Sequence, residues 1–127
     1  MRILVVDDDP VIIDLLRLNF ELEGHEVASA ADGAGALAAV AAHRPDVVVL
    51  DIMMPPPDGF TVCEGLRQDP ATQHLPIVLL TARAQAADRQ RGKDVGASAY
   101  VTKPFDPLQL VELVESLHTS NSAGEPS

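Results

Sequence analysis

Three short runs, Ile3–Val6 (ILVV), Val47–Leu50 (VVVL) and Ile77–Leu80 (IVLL), contain only β-branched and aliphatic residues, with nothing polar alternating among them. A strand with one wet face alternates apolar and polar side chains. A strand that is apolar at every position must be covered on both faces. Glu26–Ala30 (EVASA) and Ala99–Val101 (AYV) are two weaker strand candidates. Helical patterns lie between and after these five runs, so the chain reads as a parallel α/β sheet with helices on both faces.

The first helix carries Val11, Leu15, Leu18 and Leu22 at spacings of four, three and four, with Ile12 and Leu16 widening the stripe. Asp9-Pro10 supplies an N-cap and a proline at the first helical position, and Gly24 ends the helix. The second is the Ala-rich GAGALAAVAAH, closed by Pro45, and the third runs from about Gly59 to Gln68. The fourth, from about Ala84 to Val95, has little beyond alanines and Val95 to bury and is expected to be the least firmly docked. The fifth starts near Pro107 with Leu110, Leu113, Val114 and Leu117 on one face. The residues from Thr119 onward (TSNSAGEPS) read as a disordered tail or interdomain linker, which sets a domain of residues 1–118 and a tail of residues 119–127.

A chain of 127 residues with 46% hydrophobic content is enough for one domain with a core of its own. The single cysteine, Cys63, precludes an internal disulfide and is read as a packing residue. The start MRILVV carries no targeting pattern and no apolar run approaches a membrane span, so the expected location is the cytoplasm, away from membranes. A formal net charge of −10, with nine basic residues that form no patch along the sequence, argues against nucleic-acid contact by this domain.

In a parallel sheet the strands' carboxyl ends share one edge, and ligands bind beyond it. Asp7 and Asp8 follow the first strand, Asp51 ends the third, Thr81 follows the fourth, and Lys103-Pro104 comes just after the fifth. Three carboxylates, a hydroxyl and an ammonium are therefore expected to converge. Crowded carboxylates repel unless a cation or protons offset them. Oxygen donors suit a hard divalent ion, Mg²⁺ with Mn²⁺ as an alternative, which commonly shares a phosphate oxygen. Lys103 and Thr81 would then contact phosphoryl oxygens, and a carboxylate would be the nucleophile of phosphoryl transfer.

ILVVDDDP, VVVLDIMMPPPDGF, LLTARA and AYVTKPF together resemble the receiver domain of bacterial two-component response regulators over about Arg2 to Leu117. The resemblance implies a flavodoxin-like (βα)5 three-layer sandwich with a five-stranded parallel sheet in the order 2-1-3-4-5. It implies that Asp51 is the phosphoacceptor, taking a phosphoryl group from the phosphohistidine of a sensor histidine kinase or phosphotransfer protein. Asp8 and Asp51 would hold Mg²⁺ through carboxylates, Met53 through its backbone carbonyl, and Asp7 mainly through water. Lys103 would hold a phosphoryl oxygen, Thr81 would move toward the phosphate, Tyr100 would change rotamer with it, and the Lys103-Pro104 peptide would be cis. The positions of Met53 and Arg83 vary in the family and affect how long the phosphoryl group lasts. The domain would phosphorylate and dephosphorylate itself rather than turn over a substrate.

By the same resemblance, the fourth helix, fifth strand and fifth helix would form the output face. That face would control an output domain or partner protein, with homodimerisation through it as an option. The linker-like tail favours a receiver belonging to a longer chain. Pro57 departs from the family, which commonly has methionine or another apolar residue before the Asp-Gly. Two rival readings remain: a haloacid-dehalogenase-like phosphatase with Asp7 as nucleophile and Asp9 as general acid, and a receiver-like interaction module that is never phosphorylated. The phosphatase would need a further acidic pair on a strand after the lysine, where the sequence instead enters a helix. His25, His43, His74 and His118 show no metal-ligand spacing and are read as surface or loop residues.

Overall fold

The computed structural model describes the backbone of residues 1–124 and the side chains of residues 1–120. Strands β1 (Arg2–Val6), β2 (Glu26–Ala30), β3 (Val47–Asp51), β4 (Ile77–Thr81) and β5 (Ala99–Thr102) alternate with helices α1 (Pro10–Leu22), α2 (Gly33–His43), α3 (Gly59–Gln68), α4 (Ala86–Asp94) and α5 (Pro107–Gly124). The strands form one sheet in the order β2-β1-β3-β4-β5, and every pairing is parallel. This is the three-layer α/β fold expected from the sequence.

Helices cover both faces of the sheet, which is why the apolar runs do not alternate. Leu4, Val6, Val48, Leu50, Ile77 and Leu79 face one layer, packed with Ala36 and Val40 of α2 and Phe60, Cys63 and Leu66 of α3. Ile3, Val5, Val47, Val49, Val78 and Leu80 face the other, packed with Leu16 and Phe20 of α1 and Leu110, Val111 and Val114 of α5. Every residue of β3 and β4 is buried, including the polar ones at their carboxyl ends.

Helix α1 corrects the sequence reading. Its expected core stripe points to solvent: Val11 is 69% exposed, Leu18 58% and Leu22 73%. Leu16 and Phe20 are buried instead, with Ile12 and Ile13 packed partly beside them. At 100° per residue the two apolar sets lie on opposite sides of the helix, so periodicity alone admits both. Phe20, the largest apolar side chain on the helix, goes inside, and the helix is left with a second apolar face.

Helix α4 is shorter than its sequence pattern, and Gly92 is its only buried residue. Its cap residue Gln85 makes no side-chain bond, and Ala84, Ala86 and Ala87 are exposed. A Cβ at Gly92 would lie 2.8 Å from the Tyr100 ring, so the absent side chain is what lets this helix approach the sheet. Helix α5 continues through Thr119–Gly124, beyond the expected end of the domain at 118. The remaining tail residues, 125–127, lie outside the described residues.

Candidate functional site

Asp51 is the last residue of β3, paired in register with Leu80, and Thr81 closes β4 opposite Thr102. Asp7 follows β1 directly, its amide held by the Ala30 carbonyl at 3.2 Å. Rigid strands therefore fix three polar side chains at one sheet edge. Each is nearly removed from solvent, with Asp7 1%, Asp51 4% and Thr81 0% exposed. Buried polar groups need partners, and these have them.

The carboxylate of Asp7 accepts from the Asp9 N–H at 2.9 Å on one oxygen and from Lys103 Nζ at 2.9 Å on the other. Asp51 accepts from the Met53 N–H at 3.1 Å, and its second oxygen lies 3.6 Å from Lys103 Nζ. The Thr81 hydroxyl accepts from the Arg83 N–H at 3.2 Å. Asp8 is exposed beside them, and carboxylate oxygens of Asp7, Asp8 and Asp51 all lie within 4.8 Å of one another. The N–H of Lys103 donates to the Thr81 carbonyl at 2.7 Å, which holds its backbone at the site edge, and its peptide to Pro104 is cis.

Burial holds the Asp51 carboxyl above its ordinary pKa of 3.8. The Met53 N–H and Lys103 oppose this, while the charges of Asp7 and Asp8 add to it. For Lys103, burial pushes downward, but the hydrogen bond to Asp7 and the charges of Asp51 and Asp7 outweigh it and hold the ammonium above 10.5. The site therefore carries more negative charge than its one ammonium offsets. An all-oxygen donor set with surplus negative charge and one exposed member fits a hard divalent cation such as Mg²⁺, not a soft metal.

A family profile described as "Response regulator receiver domain" matches residues 3–115. The chain belongs to that family. It is 45% identical over 116 residues to the DNA-binding dual master transcriptional regulator RpaA of Synechocystis, covering 91% of this chain and 48% of that protein. It is 48% identical to the response regulator PleD of Caulobacter vibrioides, again over 91% of this chain but 26% of that protein. The receiver thus spans about half or a quarter of the length of these relatives. Among solved structures, it superposes on the chemotaxis protein CheY4 of Vibrio cholerae with a TM-score of 0.86 at 34% identity, covering 91% and 97% of the two chains. A CheY-like receiver domain protein from Methanospirillum hungatei gives a TM-score of 0.91 at 27% identity, covering 98% of each chain.

The receiver's loop after β3 packs tightly against the start of α2 and the end of β3. Pro56-Pro57 is a second cis peptide. The unusual Pro57 sits where a Cβ on Gly33, the first residue of α2, would overlap its carbonyl and come within 2.8 Å of its ring. Gly59 is required by contact as well, since a Cβ there would lie 2.5 Å from the Asp51 carbonyl oxygen. Asp58 then caps α3 by accepting from the Thr61 N–H at 2.9 Å. Tyr100 projects toward α4, donating its hydroxyl to the Arg83 carbonyl at 2.7 Å. Phe105 packs partly against the α1/α5 layer. Asp9, the general acid of the phosphatase alternative, caps α1 by accepting from the Val11 N–H at 2.9 Å.

Some residues carried no usable sequence signal. His25, expected at the surface, has a side chain only 12% exposed and lies 2.9 Å from Glu115 of α5. Arg67 joins α3 to the far end of α4, donating to the Gly96 carbonyl at 2.8 Å and to the Leu75 carbonyl at 2.6 Å. The bases are not evenly spread either: Arg83, Arg89, Arg91 and Lys93 gather on and beside α4, all exposed. That run of four in eleven residues was legible in the sequence.

Proposed function

We propose that this receiver accepts a phosphoryl group on Asp51 from the phosphohistidine of a sensor kinase or phosphotransfer protein and uses it to change the surface around α4, β5 and α5. The observation that carries the reading is the placement of Lys103 Nζ between Asp7 and Asp51, at 2.9 Å and 3.6 Å, at the edge where Asp8 and Thr81 also end. An Asp51 oxygen would attack phosphorus as the P–N bond to imidazole breaks. Lys103 would leave its ion pair to hold a phosphoryl oxygen, and the Thr81 hydroxyl, which accepts from the Arg83 N–H, would donate its proton to another. Asp7, Asp8, Asp51 and the Met53 carbonyl would hold the cation, and a bound Mg²⁺ would supply positive charge against the phosphoryl oxygens. The second apolar face of α1, running from the site at Val11 to Leu22, suits a helical donor. Its spacing of four, three and four is that of a helix–helix seam.

Transfer of the group to one acceptor residue makes the chain a switch rather than a turnover enzyme. Among the described residues no helix is long and apolar enough to cross a membrane. The test is incubation with a small phosphodonor and Mg²⁺, followed by intact mass under cold acidic conditions, on wild type, Asp51→Asn and Asp7→Asn. One Mg²⁺-dependent adduct that disappears in Asp51→Asn supports the reading. Phosphodonor turnover that survives in Asp51→Asn and fails in Asp7→Asn would replace it with the phosphatase. No adduct on wild type would replace it with an interaction module.

A further inference from the structure

Between the carboxyl-terminal ends of α2 and α3 lies a groove of about 630 Å³. Both helices run back along parallel strands, so the groove lies at the amino end of the sheet, opposite the acidic edge. Leu37, Val40, Leu66 and Leu75 give it an apolar wall, and Arg44 and Asp69 stand beside them. Its volume is that of a small-molecule site, which ranges over about 300–1,000 Å³. Two residues of the groove work against local stability. Arg44 ends α2 at φ 47 and is the one non-glycine residue with positive φ among the described residues. Glycine or asparagine is favoured in that left-handed position. Gly65 lies inside α3, lines the groove, and would carry a Cβ with no atom within 4 Å of it. Alanine would fit there and hold the helix better. Residues that break local rules in this way gather at functional sites. The charges along the groove are also open. Arg2, Arg17 and Arg67 each donate to a backbone carbonyl. The Arg44 guanidinium is exposed and has no partner among the described residues. One Asp69 oxygen accepts from the Ala71 N–H at 2.9 Å, and the other has no partner among them.

We propose that this groove binds a small apolar zwitterion of the dipeptide class, with its carboxylate on Arg44, its ammonium on Asp69 and its side chains against the apolar wall. A planar guanidinium suits a carboxylate, because two parallel N–H groups can donate to its two oxygens. The ammonium end is favoured further by the two helix C-termini, whose free carbonyls carry partial negative charge. Arg44 and Asp69 do not pair with each other, and a dipeptide spans about 7 Å between its ends, so one ligand can reach both. Charge complementarity selects this occupant over simpler ions. An anion alone meets the helix carbonyls, Asp69 and a chain of net charge −10. A cation alone leaves Arg44 without a partner. Gly65 leaves room for the ligand along the α3 wall. The groove shares no residue with the acidic edge, so the proposal stands or falls apart from the labelling of Asp51.

The test titrates the full chain with leucyl-leucine up to about 10 mM and follows backbone amide shifts by NMR. N-acetyl-leucyl-leucine and leucyl-leucine amide, each lacking one charge, are the other probes. Saturable shifts are expected in residues 37–45 and 65–75, and each capped probe should bind about tenfold more weakly. Arg44→Gly should also weaken binding by about tenfold, yet its urea midpoint should match or exceed that of wild type, because glycine suits the left-handed position. Gly65→Leu should do the same by narrowing the groove while strengthening the helix. Residues that served only the fold would lose binding together with stability. The proposal is overturned if leucyl-leucine leaves these amides unmoved, if a capped probe binds as well or better, or if Arg44→Gly binds fully. A lower urea midpoint in Arg44→Gly would also overturn it, since Arg44 would then serve the fold. So would shifts in the same residues that follow protein concentration without ligand, since the occupant would then be a second copy.

Discussion

Replacing Asp51 by Asn tests whether the acidic site is destabilised when no cation is bound. The oxygens of Asp7 and Asp8 lie within 4.8 Å of those of Asp51. At an effective dielectric of about 20, each contributes a repulsion of about 3.5 kcal/mol. Lys103 Nζ, 3.6 Å from Asp51, returns about 4.6 kcal/mol of attraction by the same reckoning. The net repulsion is about 2 kcal/mol. Exposure of Asp8 reduces it, and the burial of Asp51 adds to it. Asn keeps the shape and still accepts from the Met53 N–H, so in chelator at neutral pH Asp51→Asn should be about 1–2 kcal/mol more stable than wild type. For a chain of this size that is a rise in Tm of roughly 4–8 °C.

The pH dependence has a fixed sign. Asp51 has a raised pKa in the folded state, so the folded protein binds its proton more readily than the unfolded chain does. The penalty for its charge is full above the folded pKa and is relieved as pH falls through that value toward 3.8. The advantage of the Asn variant should therefore shrink over that window, and added Mg²⁺ should narrow it at neutral pH by stabilising wild type more. Urea unfolding followed by circular dichroism, with chelator and with Mg²⁺, measures all three effects. An Asn variant less stable than wild type in chelator at neutral pH would refute the reasoning, because it would mean that the Lys103 pair outweighs both repulsions and burial.

Two glycine substitutions should move stability in opposite directions in the same urea assay. Gly33→Ala forces a Cβ onto the Pro57 carbonyl and should cost about 1–3 kcal/mol, whereas Gly65→Ala, in open space on α3, should gain about 0.5–1 kcal/mol. The Cys63 thiol, pushed up to about 11 by burial, should resist iodoacetamide at pH 8 in the native protein and react only as the chain unfolds. On α1, Phe20→Ala should cost about 3–5 kcal/mol and Leu18→Ser less than about 0.5 kcal/mol. Leu18→Ser should slow transfer from a protein phosphohistidine donor and leave labelling by a small phosphodonor unchanged. Equal rates from both donors would remove α1 from the donor surface.

The sheet and the site edge were legible because strand burial writes itself into consecutive positions. A central strand of a parallel sheet covers VVVL and IVLL on both sides, and a carboxylate directly after such a run falls at the sheet's carboxyl edge. The α1 face was not legible. Two apolar stripes satisfy the same period, and what separates them is the bulk of Phe20 meeting a cavity that other elements form. Pro57 and Gly33 are twenty-four residues apart, and their contact depends on how a loop crosses the start of α2, which no local pattern encodes. His25 and Glu115 meet for the same reason, by the packing of α5 over the α1–β2 turn. The α4 cations show a different failure: their spacing was visible, but the charge of the whole chain obscured a local reversal of sign.

The same contacts explain which end of α4 a phosphoryl group could move on the proposed reading. The far end of the helix is secured, since Gly92 admits the Tyr100 ring and Arg67 grips the Gly96 carbonyl. The near end has no side-chain cap, and its loop is tied to the site through Arg83, whose N–H donates to Thr81 and whose carbonyl accepts from Tyr100. If Thr81 turns toward a phosphoryl oxygen, both Arg83 contacts are drawn with it, while the Arg67 anchor gives no reason for the far end to follow. A phosphoryl group shifts the balance of states only by its differential interaction with them, about 1.4 kcal/mol for each tenfold change. A helix with one buried residue offers little packing to oppose a bias of that size. Arg67→Ala should therefore release the far end, raising amide exchange across residues 91–98 in the unphosphorylated protein. Exchange confined to α3 would show that Arg67 is not the anchor.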